Sequence, residues 1–92
     1  MNLIQTERLL SDQTQEYLKT VYRGSKITGS VQINFIAAQL SLPQAAAAVT
    51  AQFLQQVGMV VYEKYGRISL TDAGQKYVRT LLDAEQNRRR QT

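Results

Sequence analysis

The sequence predicts a mainly α domain carrying a small β-hairpin wing, in the α+β class. Three observations lead there. Apolar residues recur at helical spacing in four separated segments. Two short β-rich runs, Met59-Val60-Val61-Tyr62 and Arg67-Ile68-Ser69-Leu70, flank a turn that contains Gly66. Capping residues, glycines and the single proline stand at the joints between these segments. Ninety-two residues suit one domain with one core.

Met1 to Leu10 is weakly amphipathic, with Leu3, Ile4, Leu9 and Leu10 apolar and Glu7 and Arg8 polar. It reads equally as a short helix packed on the domain or as a dimer arm. Ser11 suits an N-cap, and Asp12 suits the positive pole of a first helical turn. Tyr17, Leu18, Val21 and Tyr22 then give a first helix to about Arg23. Gly24 is expected to end it, and Gly29 to let the chain turn back. Val31-Gln32-Ile33 alternates and reads as a minor strand.

Asn34 is expected to cap a second helix, Phe35 to Leu40, with Phe35, Ile36 and Leu40 inward. Ser41-Leu42-Pro43 makes a tight turn, and Pro43 fits the first position of the next helix, where a missing N–H costs nothing. That third helix runs to Val57, with Ala46, Val49, Phe53, Leu54 and Val57 expected inward. Gly58 stops it. Glu63-Lys64-Tyr65-Gly66 reads as a hairpin tip in which Gly66 takes a positive φ. Thr71 caps the last helix, Asp72 sits in its first turn, and Tyr77, Val78, Leu81 and Leu82 form its buried stripe.

The order is helix, strand, helix, helix, hairpin, helix. That is the order of a winged helix-turn-helix. The expected organisation is an N-terminal arm or short helix at 1–10, the domain at 11–87 and a basic tail at 88–92.

Composition narrows the function. There is no cysteine and no histidine, which removes thiolate sites and the commonest metal ligand and general base. No Gly-rich phosphate loop or paired-carboxylate site is evident, and so small a chain closes no deep pocket. The expectation is a protein that is not an enzyme, with no cofactor and no small-molecule substrate. No apolar run approaches the roughly 20 residues that span a bilayer, and no secretory leader is visible at Met1, so no membrane role is expected and the cytoplasm is the default. The net charge is +4, but Arg88, Arg89 and Arg90 supply three of those charges. They read either as a tether for phosphates or as a helix end matched to its negative pole.

Two short helices joined by a tight turn and followed by a hairpin suit double-stranded DNA. A helix fits the major groove, about 12 Å wide, while a two-stranded wing reaches the flanking backbone or minor groove. At the wing, Lys64 and Arg67 are candidate phosphate contacts and Tyr65 a candidate hydrogen-bond donor. On the third helix the candidates are Gln44, Ala45, Ala48, Thr50 and Gln52, with Gln55 further along. Alanine reads a base edge only by touching a thymine methyl, so this face implies weak or A·T-leaning specificity. A homodimer is expected, because one such domain makes few contacts and paired half-sites multiply affinity. The alternative is a winged-helix protein–protein interaction module that docks a partner through the alanine-rich third helix, aided by Leu3, Ile4, Leu9 and Leu10.

Four segments carry a family resemblance. Gln15 to Tyr22, Ile36 to Leu42, Gly58 to Gly66 and Leu70 to Gly74 together resemble the N-terminal DNA-binding domain of the diphtheria toxin repressor family, which includes iron- and manganese-dependent regulators. The resemblance spans about Ser11 to Leu82 and implies a winged-helix transcriptional regulator. The departures are specific. The family continues into a dimerisation and metal-binding domain that this sequence does not contain. Glu16 matches a position that bears a metal ligand in the family pattern. Lys19 stands where manganese-type members place a second acid, and Glu85 falls about where a ligand histidine is expected. A cation at Lys19 repels a divalent metal, and Glu16 and Glu85 are expected to be solvated or paired with a neighbouring cation. No metal is expected. The family's Ser, Thr and Pro near the start of the recognition helix are replaced by Gln44-Ala45-Ala46-Ala47-Ala48.

Overall fold

The computed structural model describes residues 10–90, with side chains through Asn87. Residues 1–9 of the arm predicted at 1–10, the end of the tail and the side chains of Arg88, Arg89 and Arg90 lie outside the described residues. Four helices and a three-stranded antiparallel sheet follow in the predicted order: α1 (Asp12–Thr28), β1 (Val31–Gln32), α2 (Ile33–Leu40), α3 (Gln44–Gln56), β2 (Val60–Tyr62), β3 (Arg67–Leu70) and α4 (Asp72–Arg90). The fold is a winged helix: mainly α, with a small hairpin.

The capping chemistry sets most of the boundaries. Ser11 accepts a hydrogen bond from the Thr14 N–H at 3.1 Å and so caps α1 as expected. α1 does not stop at Gly24. It continues to Thr28 and ends on Gly29, which has φ 84° and donates its N–H to the Ser25 carbonyl. Gly24 is instead a close-packing position, because a Cβ there would strike Val31 and crowd Phe35. The glycine that looked like a stop is where β1 and α2 lie down on α1.

α2 begins earlier than expected, at Ile33, with Gln32 rather than Asn34 at its N-cap and no side-chain capping bond. The reason is packing: Ile33 and Ile36 are buried, whereas Phe35 lies against the Gly24 region and remains 43% exposed. Ser41 closes α2 at φ 55°, and Pro43 occupies the N-cap of α3, one residue before the expected place.

The sheet order is β1-β3-β2, so the minor strand completes the hairpin as a third strand, pairing Val31 with Ile68 and Gln32 with Arg67. Thr71 caps α4 by accepting from the Gly74 N–H at 3.0 Å. Its own hydroxyl donates to the Gly58 carbonyl at 2.6 Å, tying the end of α3 to the start of α4. Leu18, Val21, Ile36, Leu54, Val60, Ile68 and Val78 form the centre of the core, each about fully buried. Burying such a side chain contributes roughly 1.5–3 kcal/mol.

Candidate nucleic-acid interface

α3 is rotated relative to its expected register. Ala47, Ala51 and Leu54 are fully buried, while Val49, Phe53 and Val57, all expected inward, are 65%, 43% and 45% exposed. Ala46 is half-buried. The physical reason is close approach. The Tyr17 hydroxyl of α1 donates to the Ala47 carbonyl at 2.7 Å, and methyl-sized residues at 47 and 51 leave room for that contact. Burial first, and the charge of Tyr62 second, push the Tyr17 phenol well above its ordinary pKa, so its proton stays in place.

At about 100° per residue, the face opposite Ala47, Ala51 and Leu54 is centred on Ala45, Val49, Gln52 and Gln56. Of the sequence-derived readers, Ala45 and Gln52 stand on this outward face, and both are exposed. Gln44 and Ala48 lie on one flank, Ala48 half-buried. Thr50 lies on the opposite flank, and its hydroxyl donates to the Ala46 carbonyl at 3.0 Å. Gln55 is engaged elsewhere: its side-chain oxygen accepts the Tyr62 N–H at 2.7 Å. Sequence reasoning missed Val49, Phe53 and Gln56. Leu54 was expected inward and is buried, but within a run of alanines the hydrophobic period is flat, and the bulkier Val49, Phe53 and Val57 outweighed Ala47 and Ala51. A leucine seven residues after one alanine and three after another was the available signal.

The Gln55–Tyr62 bond joins α3 to the wing. β2 is an edge strand, and its last residue before the tip is thus fastened to the flank of α3. At the tip Tyr65 and Gly66 both take left-handed conformations, φ 65° and 78°. Gly66 is the expected positive-φ residue. Tyr65 was not expected to be one, and a left-handed tyrosine costs on the order of 1–2 kcal/mol. The Tyr65 ring is 94% exposed, and Lys64 and Arg67 are exposed beside it. No ion pair engages either cation among the described residues.

Away from this surface, the Lys19 ammonium sits between two carboxylates, 2.6 Å from Glu85 Oε2 and 3.3 Å from Glu16 Oε2. Burial pulls the Lys19 pKa down, but the hydrogen bonds and charges of Glu85 and Glu16 outweigh it and hold the ammonium above the ordinary lysine range. Glu16 and Glu85 are therefore paired with a neighbouring cation. No group of three or more His, Cys, Asp or Glu gathers among the described residues, and none of the described helices is long and apolar enough to cross a membrane.

No protein-family model and no curated protein matches the sequence. Solved structures do match. AF1382 from Archaeoglobus fulgidus superposes with a TM-score of 0.73 and 24% identity, over 89% of this chain and 93% of AF1382. Ligand-free NadR gives 0.75 and 18%, over 92% of this chain and 62% of NadR. The YusO protein from Bacillus subtilis gives 0.76 and 16%, over 97% of this chain and 64% of YusO. The chain thus spans less than two thirds of NadR and of YusO. At these identities the likeness shows the fold alone, a winged helix. It does not extend to the diphtheria toxin repressor family in particular.

Proposed function

We propose that this protein is a DNA-binding transcriptional regulator of the winged-helix type that works without a bound metal. The observation that supports the reading is the hydrogen bond from the Tyr62 N–H to the Gln55 side chain, which ties the last residue of β2, next to the wing tip, to α3. The similarity of the fold to AF1382, NadR and YusO supports a winged-helix protein of this class.

Lys64 and Arg67 would contact backbone phosphates, with Tyr65 donating to a third oxygen. Gln52 and the methyl groups of Ala45 and Val49 would meet base edges, Gln44 and Ala48 would border the wing side of the contact, and Thr50 the other. A homodimer would double this footprint. Metal independence is supported by Lys19, whose ammonium occupies the space between Glu16 and Glu85. The chemistry of the interface is recognition, without a catalytic step.

Titration against random and operator-like duplexes at several salt concentrations tests the proposal. Binding should weaken steeply with salt and be unaffected by added manganese or by a chelator. Absence of duplex binding at every salt concentration overturns it.

A second reading has its own observation. Val49, Phe53 and Val57 form an exposed apolar stripe on α3, suited to docking a protein partner. Val49→Glu would abolish such docking, and retained duplex binding by the unaltered chain would decide for DNA.

A further inference from the structure

The end of α1, the end of β3 and the start of α4 meet around a cleft of about 280 Å³. Tyr22, Ser25, Lys26, Leu70, Gln75 and Arg79 line it, along with the turn at Gly29. Two of these are cations, and none is acidic. Neither Lys26 nor Arg79 is engaged in an ion pair among the described residues. Lys26 is nevertheless placed: its ammonium stands 5.0 Å from the centre of the Tyr22 ring, a cation–π contact that holds it at the cleft wall.

The charges along this side are sorted. An adjoining cavity of about 480 Å³ shares Tyr22 and Arg79 but is also lined by Arg23, Asp83 and Glu85. A further adjoining cavity shares Gln75 and Arg79 and adds Asp72 and Lys76; the acids thus adjoin Arg79, and neither of these two cavities includes Lys26. The helix poles at the cleft oppose each other, because α1 ends and α4 begins there, so the side chains decide its sign.

We propose that this cleft binds the oxyanion group of a small molecule, a phosphate or a carboxylate. Arg79 offers a planar fork for two oxygens and Lys26 a point charge. The Gln75 amide and the Ser25 hydroxyl are polar groups at the same wall, the latter bonded to the Tyr22 carbonyl at 3.3 Å. Leu70 and the Tyr22 ring supply an apolar surface for the rest of a small ligand. The proposal is independent of the DNA reading and involves none of the residues assigned to it.

Inorganic phosphate and acetate are the probes, each titrated into the full chain at constant ionic strength against sodium chloride while backbone amide shifts are followed by NMR. Saturable shifts at Ser25, Lys26, Gly29, Gln75 and Arg79 are expected, with a dissociation constant on the order of 1–10 mM for so open a site. The double variant Lys26→Gln/Arg79→Gln should bind at least about tenfold more weakly while its other amide shifts stay in place. Lys64→Gln should bind as the unaltered chain does. Shifts that track chloride, or that survive the double variant, overturn the proposal. So does a double variant that loses duplex affinity while phosphate and acetate shift nothing, since the cations would then serve a DNA backbone.

Discussion

The helix-turn-helix unit and the frame around it are built from different chemistry. From Ile27 to Tyr62, through β1, α2, α3 and β2, there is no Lys, Arg, Asp or Glu; all 11 basic and seven acidic residues lie outside that stretch. α1, the wing tip and α4 carry the charge. Duplex affinity is dominated by phosphate neutralisation, and base discrimination by groove contacts. On the proposed DNA reading, the frame would supply electrostatic grip, and the uncharged α3 would supply shape, methyl groups and amides.

The largest expected effect separates the two faces of α3. Leu54→Ala removes a fully buried side chain and should cost about 2–5 kcal/mol in denaturant unfolding. Val49→Ala, on the outward face, should stay within about 0.5 kcal/mol. Comparable losses at both positions would mean that α3 sits in the register its hydrophobic stripe predicted, and the reading face would have to be redrawn.

That contrast also marks how far the sequence was legible. Element order, the Ser11 and Thr71 caps, the positive φ at Gly66 and the buried Tyr77/Val78/Leu81 stripe were readable, because each rests on local chemistry. On α3, Leu54 was read as inward and is buried, but Ala47 and Ala51 beside it were not read so. The choice of face depends on how closely Tyr17 of α1 approaches Ala47, a partner 30 positions away. Gly24 misled for the same reason: glycine as helix stop and glycine as contact point look alike until Val31 and Phe35 are placed against it. Of the candidate site, the wing residues were legible as an exposed tip, whereas Thr50 and Gln55 were offered as readers without sight of their hydrogen bonds to Ala46 and Tyr62.

The joint between frame and helix-turn-helix unit is next in size. Tyr17→Phe removes the bond to the Ala47 carbonyl, which keeps its partner within α3, at a cost of about 0.5–1.5 kcal/mol near neutral pH. Both Tyr17 and Lys19 hold their protons more tightly when folded, so their contributions are complete below the ordinary values of 10.0 and 10.5 and are lost as pH rises through the raised ones. Stability should fall on the alkaline side, above about pH 10. Thermal unfolding followed from pH 8 to the alkaline limit should show a shallower decline for Tyr17→Phe. Parallel curves for the two proteins would remove Tyr17 as a cause.

Electrostatic grip is tested at the wing. Each phosphate contact contributes about 0.9 to the slope of log affinity against log salt, so Lys64→Gln/Arg67→Gln should flatten that slope by roughly 1.8. Gln52→Ala should leave the slope alone and narrow the preference between duplex sequences, by about 1–3 kcal/mol if its amide makes a bidentate contact. A slope that responds equally to both changes would break the division between frame and α3.

The smallest effect concerns Tyr65, where conformation and contact pull in opposite directions. Its φ of 65° is unfavourable for a bulky side chain, and its ring is 94% exposed, so packing offsets little of the strain. Glycine takes that conformation freely but gives the unfolded chain more freedom to lose. The two terms nearly cancel, and Tyr65→Gly should raise stability by at most about 1 kcal/mol. If the strained ring is kept in place to meet a phosphate oxygen, the same variant should bind duplex several-fold more weakly. A gain in stability with unchanged duplex affinity would leave the left-handed tyrosine without a role in binding, and the grip of the wing would rest on Lys64 and Arg67 alone.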